Sequence, residues 1–203
     1  MVETKQAVVE EFRRESILRA ARRVVSRRGR EGASMQSIAD EAEVAKGTLY
    51  LYFEDRDDLL EQAVGSVLDE LVGLVREELR PGRPLREGLL ALVRTQFAFF
   101  EAHREFLRVY AELRAPAGSA CERRFRRPQH ARFVELLKAF LADAVRRGEA
   151  RRTLDPGRVA VFAAEGMSAI VKRPLEERGK KGAEDLEWIV DLLVDGMYQG
   201  KRA

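Results

Sequence analysis

Apolar residues recur at helical spacing along almost the whole chain, and no stretch sustains the alternation of a strand. That pattern restricts the fold to packed helices. Ile17, Ala21, Val24 and Val25 form the stripe of a first helix from about residue 9, and Gly29 stands where a left-handed cap would end it. Ser34 is a good N-cap for a second helix over 35–42, with Ile38, Ala39 and Ala42 inward. A third helix is expected over 46–53. A fourth begins at Asp55, whose side chain can cap free N–H groups, while Asp57 and Asp58 suit the positive helix end. It continues through Leu60, Val64, Val67, Leu71 and Val75 to residue 79, a rod of roughly 36 Å.

"RPGRP" at 80–84 breaks the pattern, with Pro84 placed as a first-turn residue. Helical segments follow at 84–103, 104–114, 122–148, 156–173 and 184–199. The expected fold is all-α. A small N-terminal three-helix unit (1–56) is joined by the long fourth helix to a larger C-terminal helical domain (57–203).

Composition narrows the function. With 45% apolar and 35% charged residues and no apolar run near the roughly 20 residues of a membrane span, a soluble cytoplasmic protein without membrane contact is expected. The single cysteine, Cys121, allows no disulfide within the chain and no thiolate metal cluster. His103, Cys121 and His130 match no usual ligand spacing, and no glycine-rich loop or paired-carboxylate motif accompanies them. Neither an enzyme, a metal site nor a cofactor is expected. The net charge of +3 permits nucleic-acid binding without demanding it.

The sequence "VAKGTLYLYFEDRDDLL" (44–60) is the most informative stretch. At about 100° per residue, Leu49 and Phe53 fall about 40° apart and make an inner face. Gly47 and Leu51 lie opposite, Thr48 close by, and Tyr50 and Tyr52 on the flanks. Such a ridge suits a DNA major groove: glycine permits close approach, threonine and leucine can touch base edges, and tyrosine hydroxyls can reach phosphates. A small amphipathic helix inside a bundle has the same pattern. The wheel alone leaves both open.

The surrounding residues favour DNA. "EGASMQSIADEAEVAKGTLYLYFEDRDDLL" (31–60), preceded by "ILRAARRVVSRRG", resembles the DNA-binding domain of the TetR family of bacterial transcriptional regulators over about residues 10–60. The resemblance implies that Ser34 and Gln36 face DNA, that Lys46, Gly47, Thr48, Tyr50, Leu51 and Tyr52 form the recognition surface, and that Arg56 occupies a phosphate-binding position. It also implies a ligand-responsive regulator, by family majority a repressor of operator DNA. The sequence departs from the family pattern at three positions. Ala45 replaces a serine or threonine cap, at about 1 kcal/mol. Glu43 replaces a turn glycine, which implies a positive φ and a cost of about 1 kcal/mol. Leu51 replaces a frequent histidine. A ligand-independent or architectural DNA-binding protein is the alternative, and the large C-terminal domain speaks against it.

Two further expectations concern that domain. One short recognition helix reads only a few base pairs, so a two-fold homodimer is expected. The small residues Ala163, Ala164, Gly166 and Ala169, with Trp188, Ile189, Leu193 and Met197, are its candidate interface. The aromatic content points to a cavity for an apolar or amphipathic small-molecule effector, with a fatty-acyl compound as one candidate. Its candidate lining is Phe97, Phe100, Phe106, Tyr110, Phe133, Phe162 and Met167, with His103, Arg104 and Arg108 at the mouth.

Overall fold

The computed structural model describes residues 5–104, 106, 127–176 and 183–197, and the side chains of these except 127, 167–176, 183–186 and 189. Among the described residues all regular structure is helical, as expected. The helices are α1 (Lys5–Gly32), α2 (Met35–Glu41), α3 (Lys46–Leu49), α4 (Arg56–Glu78), α5 (Leu85–Ala102), α6 (Arg127–Arg146), α7 (Pro156–Glu176) and α8 (Ala183–Met197). The described residues group into two compact units, one of residues 5–68 with Phe106 and one of residues 69–104, 127–176 and 183–197, and the division falls inside α4.

In the first unit α2 packs on α1 and α3 on α2. Ile17, Leu18, Ala21, Val24 and Val25 of α1 are buried, as are Met35, Ile38 and Ala39 of α2 and Leu59, Leu60, Ala63 and Val64 of α4. Gly29 adopts φ 67 and interrupts α1 where the sequence placed its end, with one further turn beyond. The helix starts earlier than its apolar stripe, because its first two turns project Val8, Val9 and Phe12 into solvent and bury nothing. Polar ties fix the helices to one another. Arg23 and Arg27 both reach Glu41 of α2 at 2.6 Å, and these bonds, Arg23 first, hold its carboxyl below the usual carboxylate range. Arg22 donates to Ser66 of α4.

In the second unit α6 packs on α7, and α5 packs on both α7 and α8. Leu89, Leu92, Val93 and Phe99 of α5 are buried, as are Leu137, Phe140 and Leu141 of α6 and Ala160, Ala163 and Ala164 of α7. Two ion pairs lace α5 to α8, Arg86–Asp191 at 2.8 Å and Arg94–Glu187 at 2.6 Å.

The turn between α4 and α5 is bolted to the end of α6. The Gly82 N–H, at φ 83, donates to Asp143 at 3.0 Å, and the Leu85 N–H donates to Glu149 at 2.6 Å. Arg147 donates to the carbonyl of Arg83 at 2.6 Å and to Asp143 at 2.9 Å. The Gly82 N–H, followed by Arg146 and Arg147, holds the Asp143 carboxyl below its usual range. Pro84 is extended, at φ −56 and ψ 140, and stands just before α5, one position earlier than its reading as a first-turn residue.

Gly88 of α5 makes room for the Phe140 ring of α6. A Cβ added there would lie 2.3 Å from the tip of the Phe140 ring, which is fully buried and has nowhere to move. Gly73 of α4 is exposed, and nothing lies within 4 Å of a Cβ added there. Alanine has better helix propensity than glycine at both sites by about 1 kcal/mol, but overpacking a core costs about 1–3 kcal/mol. Gly73→Ala should therefore raise the free energy of unfolding and Gly88→Ala lower it, with opposite shifts of the urea midpoint.

Candidate nucleic-acid interface

The exposed ridge begins with the turn that precedes it. Ala42 ends α2, the Val44 N–H reaches the Ala39 carbonyl at 3.0 Å, and the Glu43 N–H reaches Asp40 at 3.2 Å. This is the pair of bonds that closes a helix on a left-handed residue. Glu43 is that residue, at φ 56, the conformation its position implied. A glycine would adopt it without strain.

The chain then enters α3 through Ala45, which is extended and gives no side-chain cap. The Thr48 N–H finds the Ala45 carbonyl at 2.8 Å. The regular helix is one turn, shorter than the two turns read from the sequence. Beyond Leu49 the backbone tightens: Leu51 bonds Thr48 at 3.2 Å and Tyr52 bonds Leu49 at 3.0 Å, both three residues back. The Phe53 N–H also reaches the Leu49 carbonyl at 3.0 Å, four residues back, and that helical spacing puts Leu49 and Phe53 together in the core as α4 begins.

The opposite side is open. Leu51 is 80% exposed and Tyr50 53%, Lys46 and Gly47 are exposed, and nothing lies within 4 Å of a Cβ added at Gly47. Thr48 and Tyr52 are half-buried at the margins. Ser34 and Gln36 lie at the start of α2, both exposed. The Ser34 hydroxyl caps α2 by accepting from the Ser37 N–H at 3.1 Å, and Gln36 donates to Asp40 at 2.8 Å. Arg56 is half-buried. Its guanidinium donates to the carbonyl of Ala33 at 2.8 Å and to that of Arg30, bolting the start of α4 to the end of α1. A phosphate contact from Arg56 has to come from the N–H groups that remain. Asp55 caps α4 as read, accepting from the Asp58 N–H at 2.8 Å.

The residues proposed from sequence for an effector are distributed less simply. Phe97, Phe100, His103 and Arg104 are half-buried, the Phe99 and His103 rings lie 4.4 Å apart, and Arg104 is paired with Glu101. Phe106 and Phe133 are buried. Phe162 is 71% exposed and so does not line an interior, a correction to its sequence reading. Its helical neighbours Ala163 and Ala164 point inward in its place. Arg108, Tyr110 and the side chain of Met167 lie outside the described residues.

The interface residues need a similar correction. Ala163, Ala164 and Met197 are buried within the protomer, because α7 and α8 pack them on neighbouring helices, so they offer no surface to a partner. Gly166 and Leu193 are half-buried, and the side chains of Ala169 and Ile189 lie outside the described residues. Trp188 stays exposed at 65%, and Leu192, Val161 and Phe162 join it as apolar groups facing solvent. Periodicity marks an apolar stripe but does not tell which of two neighbouring stripes faces inward.

Comparison with known proteins places this geometry. A family model for bacterial regulatory proteins of the tetR family matches residues 17–63. Over 100 residues the chain is 29% identical to the HTH-type transcriptional repressor KstR2 of Rhodococcus jostii (strain RHA1), a match covering 49% of each, so the chain spans about half the length of that relative. Over 141 residues it is 25% identical to the fatty acid metabolism regulator protein of Bacillus subtilis (strain 168), covering 68% of this chain and 71% of that one. The crystal structure of the transcriptional regulator FadR from Bacillus subtilis in complex with stearoyl-CoA superposes with a TM-score of 0.72 at 20% identity, over 91% of this chain and 99% of that one. Among the described residues no helix is long and apolar enough to cross a membrane.

The uncapped start of α3 gives a direct test. Ala45→Ser supplies an acceptor for the free N–H groups of the helix and should stabilise the protein by about 1 kcal/mol in chemical denaturation. No gain would mean that those N–H groups already have partners.

Proposed function

We propose that this chain, a member of the tetR family of bacterial regulatory proteins, is a cytoplasmic homodimeric transcriptional regulator. In this reading it is a repressor released from operator DNA by an apolar or amphipathic small molecule of fatty-acyl type. The observation that carries it is the ridge of Lys46, Gly47, Tyr50 and Leu51, open to solvent on one side and held by buried Leu49 and Phe53 on the other. It lies within the segment that matches the family model.

The groove-facing ridge would read base edges through Gly47, Thr48 and Leu51, while Lys46, Tyr50, Tyr52, Ser34 and Gln36 reach phosphates. Exposed Val161 and Phe162 on α7, with Trp188 and Leu192 on α8, support a partner surface on those helices, since apolar groups of that size gain from leaving water. Similarity to a fatty acid metabolism regulator and to a transcriptional regulator bound to stearoyl-CoA supports the acyl effector. So do the half-buried Phe97 and Phe100 beside His103 and Arg104. Because α4 is a single helix with residues in both units, it is the direct route from an effector to the reading head. Loosening DNA a hundredfold requires the effector to favour the non-binding state by about 2.8 kcal/mol, which a modest difference in apolar burial supplies.

Selection from a random duplex pool should return a roughly palindromic site bound in a salt-sensitive manner. Lys46→Ala should weaken binding to every sequence and reduce the slope of log affinity against log salt by about 1, whereas Leu51→Ala should shift preference at one base step. Binding without salt dependence, or none at all, would sink the DNA reading.

The interface has its own measurement. Trp188→Glu and Phe162→Glu place a charge in the proposed contact and should halve the mass seen by light scattering at micromolar concentration. A wild-type protein that already scatters as a monomer would exclude the dimer.

A further inference from the structure

Gln62 of α4 is buried to 7% exposure, in a stretch where Leu59, Leu60, Ala63 and Val64 are buried too and at a depth where an apolar side chain is the ordinary choice. Its carboxamide is engaged on both sides. The nitrogen donates to both carboxylate oxygens of Asp58 at 2.9 Å, and the oxygen accepts from Arg14 of α1. Asp58 in turn accepts from the backbone N–H of Glu54 at 3.1 Å, directly after the ridge and its buried anchor Phe53. The Arg14 guanidinium also lies 5.9 Å from the centre of the Phe53 ring. A line of polar contacts thus runs from α1 through α4 to the backbone that ends the exposed ridge.

This line adds little to stability. A bonded polar group in a core contributes a modest net amount, and replacing both partners by apolar groups of similar shape is often neutral. What it supplies is geometry: a hydrogen bond fixes distance and direction, where leucine packing tolerates sliding. We propose that Gln62 is a positioning residue for DNA reading, and that the line Arg14–Gln62–Asp58–Glu54 sets the angle at which residues 46–52 are presented. The same line passes any shift of α4 to that ridge. This rests on the DNA reading above. The predicted effect falls on discrimination between sequences, because a loosened ridge still reaches phosphates but no longer meets base edges in one register.

The experiment uses the full-length chain, the duplex selected by the wild-type protein and a random-sequence duplex of equal length. Gln62→Leu, which leaves the part-exposed Asp58 and Arg14 to water, should stay folded with a melting temperature close to that of the wild type, keep its affinity for the random duplex, and lose tenfold or more of the selected-to-random ratio. Hydrogen exchange at the Glu54 amide should quicken. Gln62→Glu keeps an acceptor for Arg14 but sets carboxylate against carboxylate at Asp58, and should lose the ratio as well. Adding Asp58→Asn to it rebuilds the line, since an amide at 58 donates to the new carboxylate while its oxygen still accepts the Glu54 N–H; the ratio should return. If leucine at 62 prevents folding, Arg14→Gln cuts the same line from α1 and carries the same expectation. An unchanged ratio in a folded Gln62→Leu or Arg14→Gln protein, or a double variant no better than Gln62→Glu alone, overturns the proposal while the DNA reading stands. A wild-type protein that selects no duplex removes the DNA reading, and the proposal with it.

Discussion

A helix of four residues cannot hold its own shape in water, because one turn fixes several dihedral angles for one or two hydrogen bonds. α3 has no side-chain cap, and the turn before it holds a glutamate at positive φ. Its shape is therefore imposed from outside. Leu49 and Phe53 anchor it in the core, the closing bonds of α2 aim its entry, and the first turns of α4 secure its exit. Arg56 ties those turns back to the carbonyls at the end of α1. The rest of the first unit, seen this way, is a mount for a ridge only a few residues long.

The second unit is organised by similar means on a larger scale. The Phe140 ring of α6 seats on α5 where Gly88 has no side chain, while the α4–α5 turn is held by Asp143, Arg147 and Glu149. Those three residues meet mostly backbone groups of the turn. The end of α4 is consequently fixed by polar contacts, as its beginning is.

Much of this was legible in the sequence, and the rest fails for identifiable reasons. Caps by Ser34 and Asp55, the inward pair Leu49 and Phe53, the positive φ of Glu43 and the break at Gly29 are local matters, decided within a turn or two. The length of α3 was misread because periodicity continues through Phe53 while the backbone winds tighter. Phe162 was assigned to an interior because an aromatic in an apolar stripe can face either way. Gln62 was passed over entirely: a lone glutamine on a helix reads as solvated, and its partner on α1 lies 48 positions away. The one available signal was the strip it shares with Asp58 and Ser66, one turn to either side of it and next to the apolar stripe of α4.

The distribution of polar contacts has a thermodynamic logic in the proposed regulator. A joint made of apolar packing resists displacement by losing contact area, at roughly 25 cal/mol for each Å² exposed, and offers no second position. A joint made of hydrogen bonds fixes one geometry yet contributes only about 1 kcal/mol net for each bond, so exchanging two or three of them spans the free energy of a hundredfold change in affinity. Both ends of α4 carry joints of the second kind, at Arg56, Asp58 and Gln62 and at the turn held by Asp143 and Arg147. Between them Leu60, Ala63, Val64, Val67, Leu71 and Val75 are buried. Directional, inexpensive couplings at the two ends of a helix are what a small difference in effector affinity can shift.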